Sequence, residues 1–197
     1  MTLETERLIL NPWQSADWTE FRPIATDPEV MRYITGGVPW SDETIRSFVD
    51  RQVNLYAERG FCRWKLLEKG TGDVIGFCGV GMWRGGLDLE IGWWLARRCW
   101  GRGLATEAAT VALEDVFERI KLDRVVSIAM PANIASTRIM QKLGLQFDRE
   151  LRAKVCAWCG MRWIAHNMRC GSPRRAGQGD IFIRLPALGA QQCCYFF

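Results

Sequence analysis

Two glycines and three arginines fall within seven residues, Arg97-Arg98-Cys99-Trp100-Gly101-Arg102-Gly103. A glycine has no Cβ, so backbone can approach a bound group closely. Arginine supplies fixed positive charge and planar, bidentate donors. The chemistry of such a turn is anion binding, of phosphate above all. The flanks agree: Ile91 to Ala96 is a short apolar run with strand character, and Leu104, Ala105, Ala108, Ala109, Ala112, Leu113, Val116 and Phe117 recur at helical spacing. A strand, a glycine turn and a helix aim backbone N–H groups and the positive end of a helix dipole at one point. The motif is R-x-x-G-x-G. No Lys-Ser or Lys-Thr follows Gly103, which excludes a Walker loop. Thr106 stands where a dinucleotide fingerprint needs its third glycine.

A second constellation is Cys156-x-x-Cys159, His166 and Cys170, a C-x2-C-x6-H-x3-C spacing that resembles a small zinc site. The same segment also reads as a closing hairpin. Alternation along it would set His166 on the face opposite Trp163 and Ala165. Ten tryptophans are many for 197 residues. Trp13, Trp40, Trp83, Trp93, Trp94 and Trp100 are either core packing or the walls of a pocket for a cationic amine.

The elements that must position these groups follow from periodicity and punctuation. Glu6 to Leu10 reads as a first strand, and Asp17 to Tyr33 as two short helices broken by Pro23 and Pro28. Ser41 caps a helix that runs to about Arg59, and Gly60 ends it. Phe61 to Leu67 and Val74 to Met82 are strands joined by a hairpin loop, and Leu87 to Leu95 is the strand before the glycine turn. A helix runs on to about Ile120. Arg124 to Met130 is a β-branched strand, Asn133 to Leu143 a helix closed by Gly144, and Phe147 to Val155 and Arg162 to Met168 a last pair of strands. Strands before, between and after helices predict an α/β domain of the α+β type, with a mixed, mostly antiparallel sheet flanked by helices.

With 48% hydrophobic residues the chain can bury a sizeable core. A net charge of +4 is too mild to argue for nucleic acid. No apolar run approaches the roughly 20 residues of a membrane span. The first residues hold two acids and no apolar stretch, so no secretory signal is evident and the cytoplasm is the default. Eight cysteines without a secretory context are expected to be reduced, and Cys62 and Cys78, in apolar runs, to be small core residues. Residues 171–197 are turn- and charge-rich and end Cys193-Cys194-Tyr195-Phe196-Phe197. They form an appendage that packs on the domain, pairs with another subunit in a homodimer, or is partly disordered.

The R-x-x-G-x-G run before an alanine-rich helix resembles the acyl-CoA pyrophosphate loop of the GNAT N-acetyltransferases. Three stretches resemble that family's RimJ/RimL-type branch: Thr5-Glu6-Arg7-Leu8-Ile9-Leu10, Trp100 through Ala108, and Asn133-x-x-Ser136-x-Arg138 with Lys142-Leu143-Gly144-Leu145. The resemblance spans roughly residues 3–170, in the family's order. It implies one GNAT-like domain over residues 1–170, with acetyl-CoA as co-substrate and an amine of a small molecule or protein N-terminus as acceptor, attacking directly in a ternary complex. Arg97, Arg98, Cys99, Trp100, Gly101, Arg102, Gly103, Leu104 and Ala105 would then surround the pyrophosphate. Ile91, Trp93, Trp94 and Leu95 would lie on a splayed strand that pairs with the pantetheine arm and offers an N–H to the thioester carbonyl. Asn133, with Arg138, would contact the cofactor, although Asn133 is also a favoured helix N-cap.

An ammonium with a pKa near ~10 costs about 4 kcal/mol to neutralise at pH 7, so a base is needed. Glu90 stands where many relatives carry an acid; its other reading is a solvated strand-edge residue. Many relatives protonate the leaving thiolate with a Tyr seven residues after the Asn, and here that position is Met140. Ser136 matches the branch's serine and is the candidate acid, or else an ordinary polar residue of a first helical turn. Two competing readings are a non-catalytic acyl-CoA-binding or regulatory module, and a small zinc-stabilised interaction protein.

Overall fold

In the computed structural model, which describes residues 1–83, 88–152 and 159–166, the apolar runs pair into a single eight-stranded sheet. The strands are β1 (Leu3–Glu4), β2 (Leu8–Asn11), β3 (Arg63–Glu68), β4 (Val74–Trp83), β5 (Asp88–Leu95), β6 (Arg124–Ala129), β7 (Gln146–Arg152) and β8 (Cys159–His166). Helices α1 (Trp18–Ala25), α2 (Pro28–Met31) and α3 (Asp42–Arg59) lie between β2 and β3 in sequence. Helix α4 (Leu104–Glu118) joins β5 to β6, and α5 (Ile134–Lys142) joins β6 to β7. The strand order is β1-β2-β3-β4-β5-β6-β8-β7, and each pairing is antiparallel except β5 with β6. The mixed, mostly antiparallel α+β architecture expected from the sequence is the one observed.

The local rules behind the elements are visible. Ser41 accepts from the Thr44 amide at the start of α3, and Gly60 closes that helix at φ 72°, a left-handed conformation that glycine adopts without strain. The break in the first helical stretch falls at Thr26-Asp27, not at Pro23, which α1 contains. Pro28 opens α2, where its missing N–H is no loss, and Asp27 caps it by accepting from the Glu29 amide at 2.9 Å. The first long strand starts at Leu8, two residues later than the sequence suggests. Thr5 to Leu8 is closed as a turn instead, with Thr5 N donating to the Leu8 carbonyl and Leu8 N to Thr5 Oγ1.

Helices α1 and α3 bury an aromatic cluster against β4 and β5. Phe21 stacks on Phe48 at 5.5 Å, Phe77 meets Trp94 at 5.1 Å, and Trp40 meets Trp94 at 4.7 Å. Burying each such ring contributes about 1.5–3 kcal/mol, and truncating Phe48 to Ala costs about 3–5 kcal/mol. Helix α4 packs on β4 and β5 through Leu104, Ala108, Ala109, Ala112 and Val116, all buried. Cys62 and Cys78 are buried core residues, as expected, and burial pushes both thiols far above their ordinary value. Leu87, Cys156, Cys170 and residues 171–197 lie outside the described residues.

Candidate active site

The site begins where two parallel strands part. β5 and β6 share a single register pair, Glu90 with Val126, whereas β4 and β5 pair continuously from Gly76–Leu95 to Trp83–Asp88. Beyond Glu90 the β5 edge that faces β6 separates from its neighbour. The Ser127 hydroxyl reaches across to the Ile91 carbonyl at 3.0 Å. The gap opens into a cleft of about 440 Å³, lined by Trp93, Trp94 and Leu95 on one strand and by Ser127 to Ala129 on the other, with Met130 just after it. Trp100, Gly101, Gly103, Leu104, Ala105 and Thr106 close one side, and Asn133, Ser136, Arg138, Met140 and Lys142 from α5 and its cap close another.

Gly101 and Gly103 have φ of 72° and 79°. A non-glycine residue there is strained by about 1–2 kcal/mol. Gly103 is the N-cap of α4 and brings no capping side chain, so its helix start meets the cleft as bare backbone. Cys99 also lines the cleft. Ile91 and the three arginines lie outside its lining. Arg98 pairs with Asp73 at 3.2 Å and Arg102 with Glu68 at 2.5 Å, while Arg97 sits in the 3-10 turn before the loop. Arg98 and Arg102 are thus engaged in ion pairs outside the cleft lining.

The loop is also held from the other end of the chain, a contact that sequence reading missed. Glu107, in the first turn of α4, accepts from Thr5 Oγ1 at 2.5 Å, from the Arg7 amide at 3.0 Å and from Arg7 Nε at 2.7 Å. Arg7 NH1 then donates to the Arg102 carbonyl at 3.0 Å, inside the glycine turn. Burial would raise the Glu107 carboxyl, but the Thr5 hydroxyl and the Arg7 amide and guanidinium outweigh it and hold it below the usual carboxylate range. The signal was present as two of the quoted stretches, Thr5-Glu6-Arg7 and Thr106-Glu107-Ala108; nothing in either one says that they touch.

Glu90 is buried at 8% exposure, not a solvated edge residue, and its Oε2 accepts from Arg63 NH2 at 2.6 Å. Both line the cleft. Asn133 caps α5 by accepting from the Ser136 amide at 3.1 Å, so the capping reading holds, and its position in the lining leaves it beside any occupant. Ser136 is half-buried in the first turn of α5, and Met140, one turn on, is buried. Of the tryptophans, Trp13 and Trp40 are core, Trp93, Trp94 and Trp100 line the cleft, and Trp83 lies on β4 outside it. His166 is exposed on β8, while Trp163 and Ala165 are buried, as the alternation predicts. Cys156 and Cys170, half of the zinc spacing, are among the undescribed residues.

The sequence model described as Acetyltransferase (GNAT) domain matches residues 7–146. Among curated relatives, an uncharacterized N-acetyltransferase of Bacillus subtilis (strain 168), YnaD, is 30% identical over 163 residues, 83% of this chain and 92% of its own. An uncharacterized N-acetyltransferase of Bacillus licheniformis, p20, is 31% identical over 157 residues, 77% of this chain and 85% of its own. Among solved structures, an acetyltransferase from Agrobacterium tumefaciens str. C58 superposes with a TM-score of 0.71 at 27% identity, covering 84% of this chain and 94% of that one. A RimL ribosomal L7/L12 α-N-protein acetyltransferase in complex with coenzyme A superposes at 0.71 with 13% identity over 84% and 98%, a likeness of fold.

Proposed function

This chain belongs to the GNAT family of acetyltransferases, whose co-substrate is acetyl-CoA, and we propose that it transfers the acetyl group to a primary amine by direct attack in a ternary complex. The observation that carries the reading is the parting of β5 and β6 beside an uncapped, glycine-led helix start. An open strand edge can hydrogen-bond an extended amide-bearing arm as an added strand would. Amides at a helix N-terminus favour a phosphate. The residues present fit the group: Gly101, Gly103, Leu104 and Ala105 would hold the pyrophosphate, and Trp93 to Leu95 and Asn133 the pantetheine. Acetyl-CoA supplies an acyl carbon already activated as a thioester.

The chain's own residues then have three tasks. An N–H of β5 between Ile91 and Leu95 would polarise the carbonyl. Glu90 would take the proton that the attacking amine must shed, directly or through water. Ser136, in the lining on α5, would donate to the departing thiolate, a task that Met140 cannot perform. The RimJ/RimL-type assignment is part of this proposal. It is supported by the Thr5–Arg7 segment meeting the Trp100–Ala108 segment, two of the three stretches that suggested it. We assign the domain to residues 1–170 and treat 171–197 as an appendage. The experiment is release of free thiol from acetyl-CoA across a panel of amines, including N-terminal peptides, polyamines and aminoglycosides. Binding of acetyl-CoA with no release for any amine would leave the non-catalytic acyl-CoA-binding module as the reading.

A further inference from the structure

We propose that the acceptor carries a carboxylate beside the amine that is acetylated, as in a free α- or β-amino acid, and that the Arg63 guanidinium binds it. The inference rests on the acetyltransferase reading and names the substrate class of that site. Arg63 is 8% exposed and lines the cleft. Burying an arginine is expensive unless its donors are used. Among the described residues its guanidinium makes one hydrogen bond, NH2 to Glu90, and Nε has no partner. Five N–H donors with one acceptor leave capacity for a second anion.

The surroundings are built for this side chain. A Cβ on Gly81 would stand 3.1 Å from the guanidinium carbon, and one on Gly92 3.7 Å from Nε, so two neighbouring strands omit side chains where Arg63 lies. Its backbone is pinned on both sides: the Arg63 amide donates to Gln52 Oε1 at 3.1 Å, and its carbonyl accepts from Trp13 Nε1 at 2.5 Å. Charge balance points the same way. Burial, and then the positive charge of Arg63, hold the Arg51 guanidinium below its ordinary value, so a second cation lies within range of the pair.

The Arg63–Glu90 dipole also matches the chemistry of the ligand. In an amino acid the nitrogen lies roughly 3 Å from the carboxylate oxygens by ordinary covalent geometry. An amine set against Glu90 therefore places its carboxylate against Arg63. A peptide N-terminus or a polyamine has no such anion and leaves the donors unanswered.

The test is a matched series on the intact protein with acetyl-CoA: phenylalanine, phenylalaninamide and phenethylamine, with the corresponding leucine compounds and an N-terminal peptide. A charge-assisted bond is worth enough that the free acid should exceed its amide in kcat/KM by about tenfold to a hundredfold. In Arg63→Lys, which keeps the charge and loses the planar fork, the ratio of acid to amide should fall towards one. Arg63→Met should lower it further where that variant folds, and the wild-type series decides the matter by itself if it does not. Equal or better turnover of the amide, the decarboxylated amine or the peptide by the wild type overturns the acceptor class and leaves the acetyltransferase reading standing. Equal loss for all acceptors in Arg63→Lys also overturns it, placing Arg63 in support of Glu90 alone. No thiol release with any amine overturns both.

Discussion

The side chains at the cleft divide into those that make backbone available and those that move charge. Gly103 is of the first kind. An added Cβ would stand 3.7 Å from Arg7 NH2, an ordinary contact, so the protein itself tolerates the methyl group. Gly103→Ala should therefore lower stability by only the left-handed strain of about 1–2 kcal/mol. Acetyl-CoA affinity should fall tenfold or more, because Gly103 lines the cleft and its left-handed backbone sets the amides that open α4; calorimetry on the folded variant with wild-type affinity would remove the loop assignment. Glu90, the proposed base, would be of the second kind. Glu90→Gln should lower kcat/KM at neutral pH and lose less towards pH ~10, where the amine is already neutral. It also strands the Arg63 charge, so its melting temperature should drop, and a pH–rate profile parallel to wild type would transfer the base role elsewhere. Ser136→Ala should cut kcat by roughly tenfold to a hundredfold, the low end of positioned acid catalysis, since a thiolate is a tolerable leaving group. Its amide, not its hydroxyl, answers the Asn133 cap, so the helix should survive. Cofactor affinity collapsing along with kcat would make Ser136 a binding contact.

At the scale of the element, the first turn of α4 is where the N-terminal turn is fastened to the glycine turn, through Glu107, Thr5 and Arg7. Arg7→Ala releases the Arg102 carbonyl as well as Glu107, so KM for acetyl-CoA should rise about tenfold while kcat at saturation changes little. A matching loss in kcat would mean a general loosening instead. Glu107 adds a pH signature. Its carboxyl is depressed in the folded state, so it contributes stability above the unfolded value near ~4.3 and loses it as pH falls through the folded one. The melting deficit of Glu107→Gln should be largest at neutral pH, begin to shrink as pH falls below about 4.3, and close only below the depressed folded value. Nearly all the elements were legible in sequence, because Ser41, Gly60 and Asn133 are local signals that act on their own neighbours. The glycine turn was legible for the same reason. The Arg7–Glu107 contact spans 100 residues, and the Arg63–Glu90 pair bridges β3 and β5 across the glycines of β4. Neither leaves a periodic or compositional trace, so both required the fold.

At the scale of the whole molecule, the sheet is two antiparallel blocks joined by a seam with a single backbone register pair. β1 to β5 form one, β6, β8 and β7 the other, and the links between them include one parallel register pair, the Ser127–Ile91 hydrogen bond, the ion pairs of Asp88 with Arg124 and Arg162, and the α4 crossover. A ligand that hydrogen-bonds the open β5 edge while contacting α5 and β6 stitches those blocks together, and it binds only the folded chain. At 100 times its dissociation constant such a ligand adds about 2.7 kcal/mol. For a domain of this size that corresponds to a rise in Tm of roughly 5–10 °C. The gain should be local in hydrogen exchange, with protection rising at Ile91 to Leu95 and Ser127 to Met130 while the β2–β3 edge stays as it was. Because the pyrophosphate is assigned to the Gly101–Gly103 turn, a pantetheine fragment at the same concentration should shift Tm far less than coenzyme A, and Gly103→Ala should bring the two shifts together. Equal shifts for fragment and full cofactor in the wild type would show that the seam, not the glycine turn, provides the affinity.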